Sequence, residues 1–174
     1  MLYGSADIED LVKRVKTLGQ PAVALTDYSN LFNAVHFYRE AKAAGIKPIL
    51  GADLLFCEDA IQCKIQKIRQ FSHIVLIAEN DVGFKNLARL ASLAQSEDYF
   101  YYNPRIDFGL LEKHKEGIIC LTGSTQDGII SSNLFDKTNE DGEVVEPAAI
   151  FKAKGLVRRL LKIFDADHLF LEIQ

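Results

Sequence analysis

The residues able to do chemistry cluster where apolar runs end: Asp27-Tyr28-Ser29-Asn30, Gly51-Ala52-Asp53, Ala78-Glu79-Asn80 and Gly123-Ser124-Thr125. In folds that alternate strands with helices, working side chains stand at the C-terminal strand ends. Gly123-Ser124-Thr125-Gln126-Asp127-Gly128 has two glycines at the spacing of a phosphate-binding loop. Ile129 and Ile130 follow where a lysine and a hydroxyl are needed, so it reads as a strand-end turn. Asp165 and Asp167 have the D-x-D look of a two-metal site, but lie between a helix and a strand and read as an acidic turn. Of four histidines, His114 lies in a solvated charged stretch, His168 begins a strand after the acidic turn, and His36 sits on a helix. His73 opens a buried strand and reads as a packed core residue. There is no G-x-S-x-G nucleophile elbow and no G-x-G-x-x-G.

Tyr99-Phe100-Tyr101-Tyr102, before Pro104-Arg105, has the aromatic content of a base-stacking platform; aromatics at a helix end more often close a core. Cys57, Cys63 and Cys120 are odd in number and scattered, which suits reduced thiols, and no pair has zinc-knuckle spacing.

These residues must be held by regular elements. Ile8, Leu11, Val12, Val15 and Leu18 follow helical spacing, with Ser5 or Asp7 as cap and Gly19 as stop. Residues 21–27 read as a buried strand, 31–44 as a helix ending at Gly45, and 47–56 as a second strand. Residues 63–68 alternate like a surface strand or hairpin arm. His73 to Ala78 is a third strand, a helix runs through Phe84, Leu87 and Ala91, and Ile118 to Leu121 is a fourth strand. Asp136 to Pro147 reads as an acidic loop, 148–164 as a helix with Lys152, Lys154, Arg158, Arg159 and Lys162 on one face, and 168–173 as a last strand. Continuous apolar strands alternating with helices predict a parallel sheet covered on both faces, open or closed into a barrel.

The chain has 174 residues, one domain's worth, with 48% hydrophobic and 25% charged residues, so it buries a core without disulfide or metal. Its net charge of −4 disfavours unaided gripping of nucleic acid through phosphates. No apolar run approaches ~18 residues, and the N-terminus lacks a signal-peptide pattern, so a cytoplasmic location is expected.

Residues 21–32, PAVALTDYSNLF, and 43–53, AAGIKPILGAD, resemble the N-terminal PHP (polymerase and histidinol phosphatase) domain of bacterial DNA polymerase III alpha subunits. So do His73-Ile74-Val75-Leu76-Ile77-Ala78-Glu79-Asn80, Tyr101-Tyr102-Asn103-Pro104-Arg105-Ile106-Asp107, and residues 116–123, in the same order. The resemblance implies an α/β fold: a partial (β/α) barrel of the PHP, TIM-like type over residues 1–174, its first strand and closing strands absent. Intact members hold metals at the strand ends with histidines and carboxylates, for phosphoester hydrolysis. Mapped residue by residue, the family histidine after T-D is Tyr28, the glutamate is Asp53, the strand histidine is His73, the cysteine is Ser124 and an opening aspartate is Tyr3. The family's opening H-x-H would lie upstream of Met1 and its late D-x-H beyond Gln174.

Asp53 and His73 are therefore remnants of a metal site, with no catalytic residue, no bound metal and no cofactor expected. The resemblance implies a structural, partner-docking piece of a DNA-directed DNA polymerase. Its partners would be the remainder of the alpha chain and the proofreading exonuclease subunit, epsilon, with DNA reached through the parent polymerase and no membrane. The alternative is a metal-dependent PHP-type phosphoesterase.

Overall fold

A computed structural model describes residues 7–138, 144–146 and 148–173. The elements are α1 (Ile8–Thr17), β1 (Ala22–Tyr28), α2 (Ala34–Ala43), β2 (Lys47–Phe56), α3 (Ala60–Ile65), β3 (Ser72–Ala78) and α4 (Asp81–Ala94). They continue with β4 (Phe100–Tyr101), β5 (Asn103–Pro104), α5 (Phe108–Lys113), β6 (Ile118–Leu121), a 3-10 turn at Ser131–Asn133, β7 (Lys137–Thr138), β8 (Val144–Glu146), α6 (Ile150–Phe164) and β9 (Leu169–Phe170). Helix starts follow side-chain chemistry. Asp7 accepts from the Glu9 and Asp10 N–H groups at α1, and Asn80 from those of Val82 and Gly83 at α4. Ser5 and Tyr3 lie outside the described residues.

Helix α2 starts three residues later than its periodicity suggests. Asn30 folds residues 30–33 into a turn, donating to the Tyr28 carbonyl at 2.8 Å and accepting from the Phe32 N–H at 2.9 Å. The alternation at 63–68 is not a strand. Asp59 accepts from the Gln62 N–H at 2.9 Å and nucleates the short helix α3 instead. The acidic loop after Asp136 contains the β7–β8 hairpin.

Five strands form one sheet in the order β1-β2-β3-β6-β9. The expectation of a parallel sheet is corrected here. β1 and β2 are parallel, β3 runs antiparallel to both β2 and β6, and β9 is parallel to β6. Apolar strand composition reports burial and carries no direction, and the segment 57–71 returns the chain to the rim from which β3 can run backwards.

The two faces also differ, against the expectation that both are covered. On one, Ala52, Leu54, Phe56, Ile74, Leu76, Ile118 and Cys120 are almost fully buried with Leu87 and Leu90 of α4 and Leu160 of α6. Each large side chain there contributes about 1.5–3 kcal/mol of burial. The opposite face carries Ile49, Gly51, Asp53, Val75, Ile77, Ile119 and Leu121 by register, and most of these are only half-buried.

Gly83 of α4 meets Gly117 backbone to backbone. A Cβ on Gly83 would stand 1.7 Å from the Gly117 carbonyl oxygen, which in turn accepts from the Glu79 N–H at 2.9 Å. This contact docks α4 on the turn that feeds β6.

Candidate functional site

The reversal of β3 decides the site. Tyr28 ends β1 and is paired in register with Asp53 on β2. Because β3 is antiparallel, its first residues stand at the same rim as the C-terminal ends of β1 and β2. His73 is paired with Leu55, one diagonal step from Asp53 on the same face. Its side chain is not merely packed in the core, as expected from position. Its Nδ1 lies 3.0 Å from each carboxylate oxygen of Asp53. The Tyr28 ring lies against the imidazole, with centroids 5.6 Å apart, and Phe71 stands on another side at 5.9 Å.

The turn after β6 closes the group. Gly123 takes φ +79°, and a Cβ there would stand 2.8 Å from the His73 carbonyl oxygen. The Asp127 carbonyl accepts from the His73 N–H, and the His73 carbonyl accepts from the Ile129 N–H, each at 2.8 Å. The Asp127 carboxylate comes within 3.6 Å of His73 Nε2. Ser124 donates its hydroxyl to that same carboxylate. At the end of β9, the Glu172 N–H donates to Thr122 Oγ1 at 3.1 Å, which brings the chain past this rim.

His73 is thus held between two carboxylates. The hydrogen bond to Asp53 is the largest influence and raises its pKa above the usual histidine value. Burial opposes the rise, and the charges of Asp53 and Asp127 add to it. As a metal site the set is poor. Nδ1 of His73 is occupied by Asp53, Tyr28 offers a phenol and Ser124 a hydroxyl already given to Asp127. Among the described residues no three of His, Cys, Asp and Glu are arranged to hold a metal ion. The donors present do not fit the metal cluster expected of intact family members.

The other candidate residues lie elsewhere. Glu79 and Asn80 end β3 at the opposite rim, again because β3 runs backwards, and Asn80 caps α4. There His168 pairs through Nδ1 with Asp165 at 2.9 Å and faces Glu79 at 3.7 Å, all partly or fully exposed. Asp165 also accepts from the Asp167 and His168 N–H groups, so the D-x-D segment is the acidic turn. The aromatic run forms the β4–β5 hairpin, with Arg69 stacked on Tyr102 and Arg105 facing Tyr101. Asp127 went unnoticed as a site residue in the sequence. Its signal was weak: an acidic residue closing a glycine-flanked turn after an apolar strand.

Comparison with known proteins bears on this site. A family model described as "PHP domain" matches residues 1–174. DNA polymerase III subunit alpha of Borreliella burgdorferi is 38% identical over 176 residues, covering 100% of this chain and 14% of that protein. The Aquifex aeolicus alpha subunit is 38% identical over 186 residues, with the same coverage. The Helicobacter pylori alpha subunit is 36% identical, covering 99% of this chain. The chain spans about 14% of the length of these relatives. Among solved structures, a Bifidobacterium adolescentis chain provisionally assigned as a metal-dependent phosphoesterase aligns with TM-score 0.47 at 10% identity. The match covers 71% of this chain and 64% of that one. No helix among the described residues is long and apolar enough to cross a membrane.

Proposed function

This chain belongs to the PHP domain family, and on that premise we propose that it serves as the N-terminal PHP domain of a DNA polymerase III alpha subunit. In this reading it is part of a DNA-directed DNA polymerase, a nucleotidyltransferase of cytoplasmic DNA replication. Its own work is structural. It supports the polymerase chain and docks the proofreading exonuclease, epsilon, while DNA is held by the parent enzyme.

The observation that carries the reading is the match along the whole chain, at 35–38% identity, to several alpha subunits. The site geometry supports the non-catalytic role. Asp53 engages Nδ1 of His73 and Asp127 faces its Nε2, so both ring nitrogens are turned toward carboxylates. Nucleotidyl transfer needs strand-borne carboxylates and phosphate-binding cations, and the rim offers no such constellation among the described residues. We also keep the partial (β/α) barrel as our reading of the fold. The half-buried sheet face bearing Val75, Ile77 and Leu121 is what a barrel interior short of some strands would present.

The alternative, a metal-dependent PHP-type phosphoesterase, requires three or four good ligands converging on a metal pair. By the family resemblance, Tyr28 and Ser124 take the places of two of them.

The test is a pull-down of the complete alpha chain with the proofreading subunit. Co-purification through this domain is expected. Recovery of polymerase without exonuclease would remove the docking role.

A further inference from the structure

Cys57 and Cys63 were set apart by the sequence as thiols with no zinc spacing, and the proposed function makes no use of them. The fold brings them together. Cys57 directly follows β2 and Cys63 lies on α3, and both line one cavity of about 280 Å³ beside Phe56, Ile68 and Phe71. The two thiols stand close enough for Cys63 to raise the pKa of Cys57. Cys57 is buried and Cys63 half-buried, so Cys63 is the thiol nearer to solvent.

An independent observation concerns Arg105, which is fully buried. Its Nη1 donates to the Ile68 carbonyl at 2.9 Å, and the Ile68 N–H donates to the Cys63 carbonyl at 2.8 Å. Its neighbour Ile106 accepts from the Cys57 N–H at 3.0 Å. The guanidinium charge acts on Cys57, while its Nε and Nη2 have no hydrogen-bond partner. A buried cation with unpaired donors is costly, and an anion formed beside it is stabilised.

We propose that Cys57 and Cys63 form a dithiol site that peroxide oxidises to an intramolecular disulfide. The Cys63 thiolate attacks the peroxide O–O bond, giving Cys63 sulfenic acid and, after protonation, one water. The Cys57 sulfur then attacks the Cys63 sulfur. The S–O bond breaks, a second water leaves, and the S–S bond forms. Two thiols lose two electrons and two protons to one hydrogen peroxide, which becomes two waters. Burial, then the neighbouring Cys63, push the Cys57 thiol up to about 12, while the Arg105 charge pulls it down. Cys63, the thiol nearer to solvent, is the one that peroxide reaches first, and the buried Cys57 is the resolving thiol. Cys120 lies in the main core, where burial alone raises its pKa, and takes no part.

The test treats the folded protein, identified by a Cys120 thiol that resists alkylation, with hydrogen peroxide. Peptides are then mapped by mass spectrometry without reductant. A Cys57–Cys63 linked peptide, lighter by two hydrogens and restored by dithiothreitol, is expected. Cys63 driven to sulfinic acid beside a free Cys57, or both thiols left reduced, would overturn the proposal. In Cys57→Ser the sulfenic acid at Cys63 should persist and be captured by dimedone. A measurement on the unsubstituted protein guards against a misfolded variant. Phenylarsine oxide, which bridges two close thiols, should bind one to one and protect Cys57 and Cys63 together from alkylation. Failure to protect the pair would refute their apposition.

Discussion

His73 points Nδ1 at both oxygens of the Asp53 carboxylate, 3.0 Å from each, from a strand that runs opposite to the one bearing Asp53. This pair is the centre of the candidate site, and its charge state should be readable in stability. The hydrogen bond to Asp53 raises the folded-state pKa of His73 above the unfolded value of about 6.5. A raised pKa gives stabilisation that is complete below the unfolded value and is lost as pH rises through the folded value. Urea melts of the natural protein should therefore show stability declining as pH rises above about 6.5 and through the raised pKa of His73, by a component that Asp53→Asn removes. At pH 6 that variant should be weaker by about 2 kcal/mol, the worth of a charge-assisted, partly buried hydrogen bond. A variant with the same pH slope as the natural protein would refute the coupling.

The same pair bears on metal binding. A tetrahedral zinc site needs four donors, and Asp53 with His73 supplies two that are already engaged. Protein purified gently without chelator is expected to carry no near-stoichiometric zinc or manganese. With manganese added it should hydrolyse phosphoesters no faster than background. Elemental analysis and a phosphoester assay decide the matter. Activity abolished by Asp53→Ala or His73→Ala would promote the phosphoesterase reading.

Gly83 offers a sharp packing test. A methyl group there would stand 1.7 Å from the Gly117 carbonyl oxygen, and neither backbone has a flexible side chain to move aside. Gly83→Ala should cost about 3 kcal/mol or prevent folding, although alanine is intrinsically the better helix former. Gly155, on α6, has nothing within 4 Å of the corresponding position. Gly155→Ala should be neutral or stabilising by up to about 1 kcal/mol. Chemical denaturation of the two variants side by side separates crowding from propensity.

The sheet itself predicts association. Among the described residues β1 and β9 are its edges, and the face bearing Val75, Ile77, Ile119 and Leu121 is only half-buried. Unpaired strand edges beside an apolar face template pairing with other chains. Sedimentation of the isolated 174 residues should show self-association that grows with concentration, or a low melting point. A sharp, reversible, concentration-independent monomer melt would count against this.

Much of this was legible in the chain. The helical spacing of Ile8, Leu11, Val12 and Val15 announced α1, and the apolar run 47–56 announced β2 within its observed bounds. Ordered segments such as PAVALTDYSNLF carried the family resemblance, and with it the expectation that Tyr28 and Ser124 replace metal ligands. These are local properties: periodicity, caps and residue identity act within a few positions of themselves.

Strand direction is not local. The apolar content of 72–78 says that a strand is buried, and nothing in it says which way the strand runs. Only the pairing of Asp53 with Val75 and of Val75 with Leu121, residues far apart in sequence, reverses β3. That reversal moves His73 to the working rim, sends Glu79 and Asn80 away from it, and lets the turn after β6 set Asp127 against the imidazole. The turn into α3 set Cys57 and Cys63 on one cavity, and long-range packing buried Arg105. Residue types were written in the sequence. Which of them face one another was decided by sheet register, because the burial free energy that selects a register is summed over strands that local sequence never brings together.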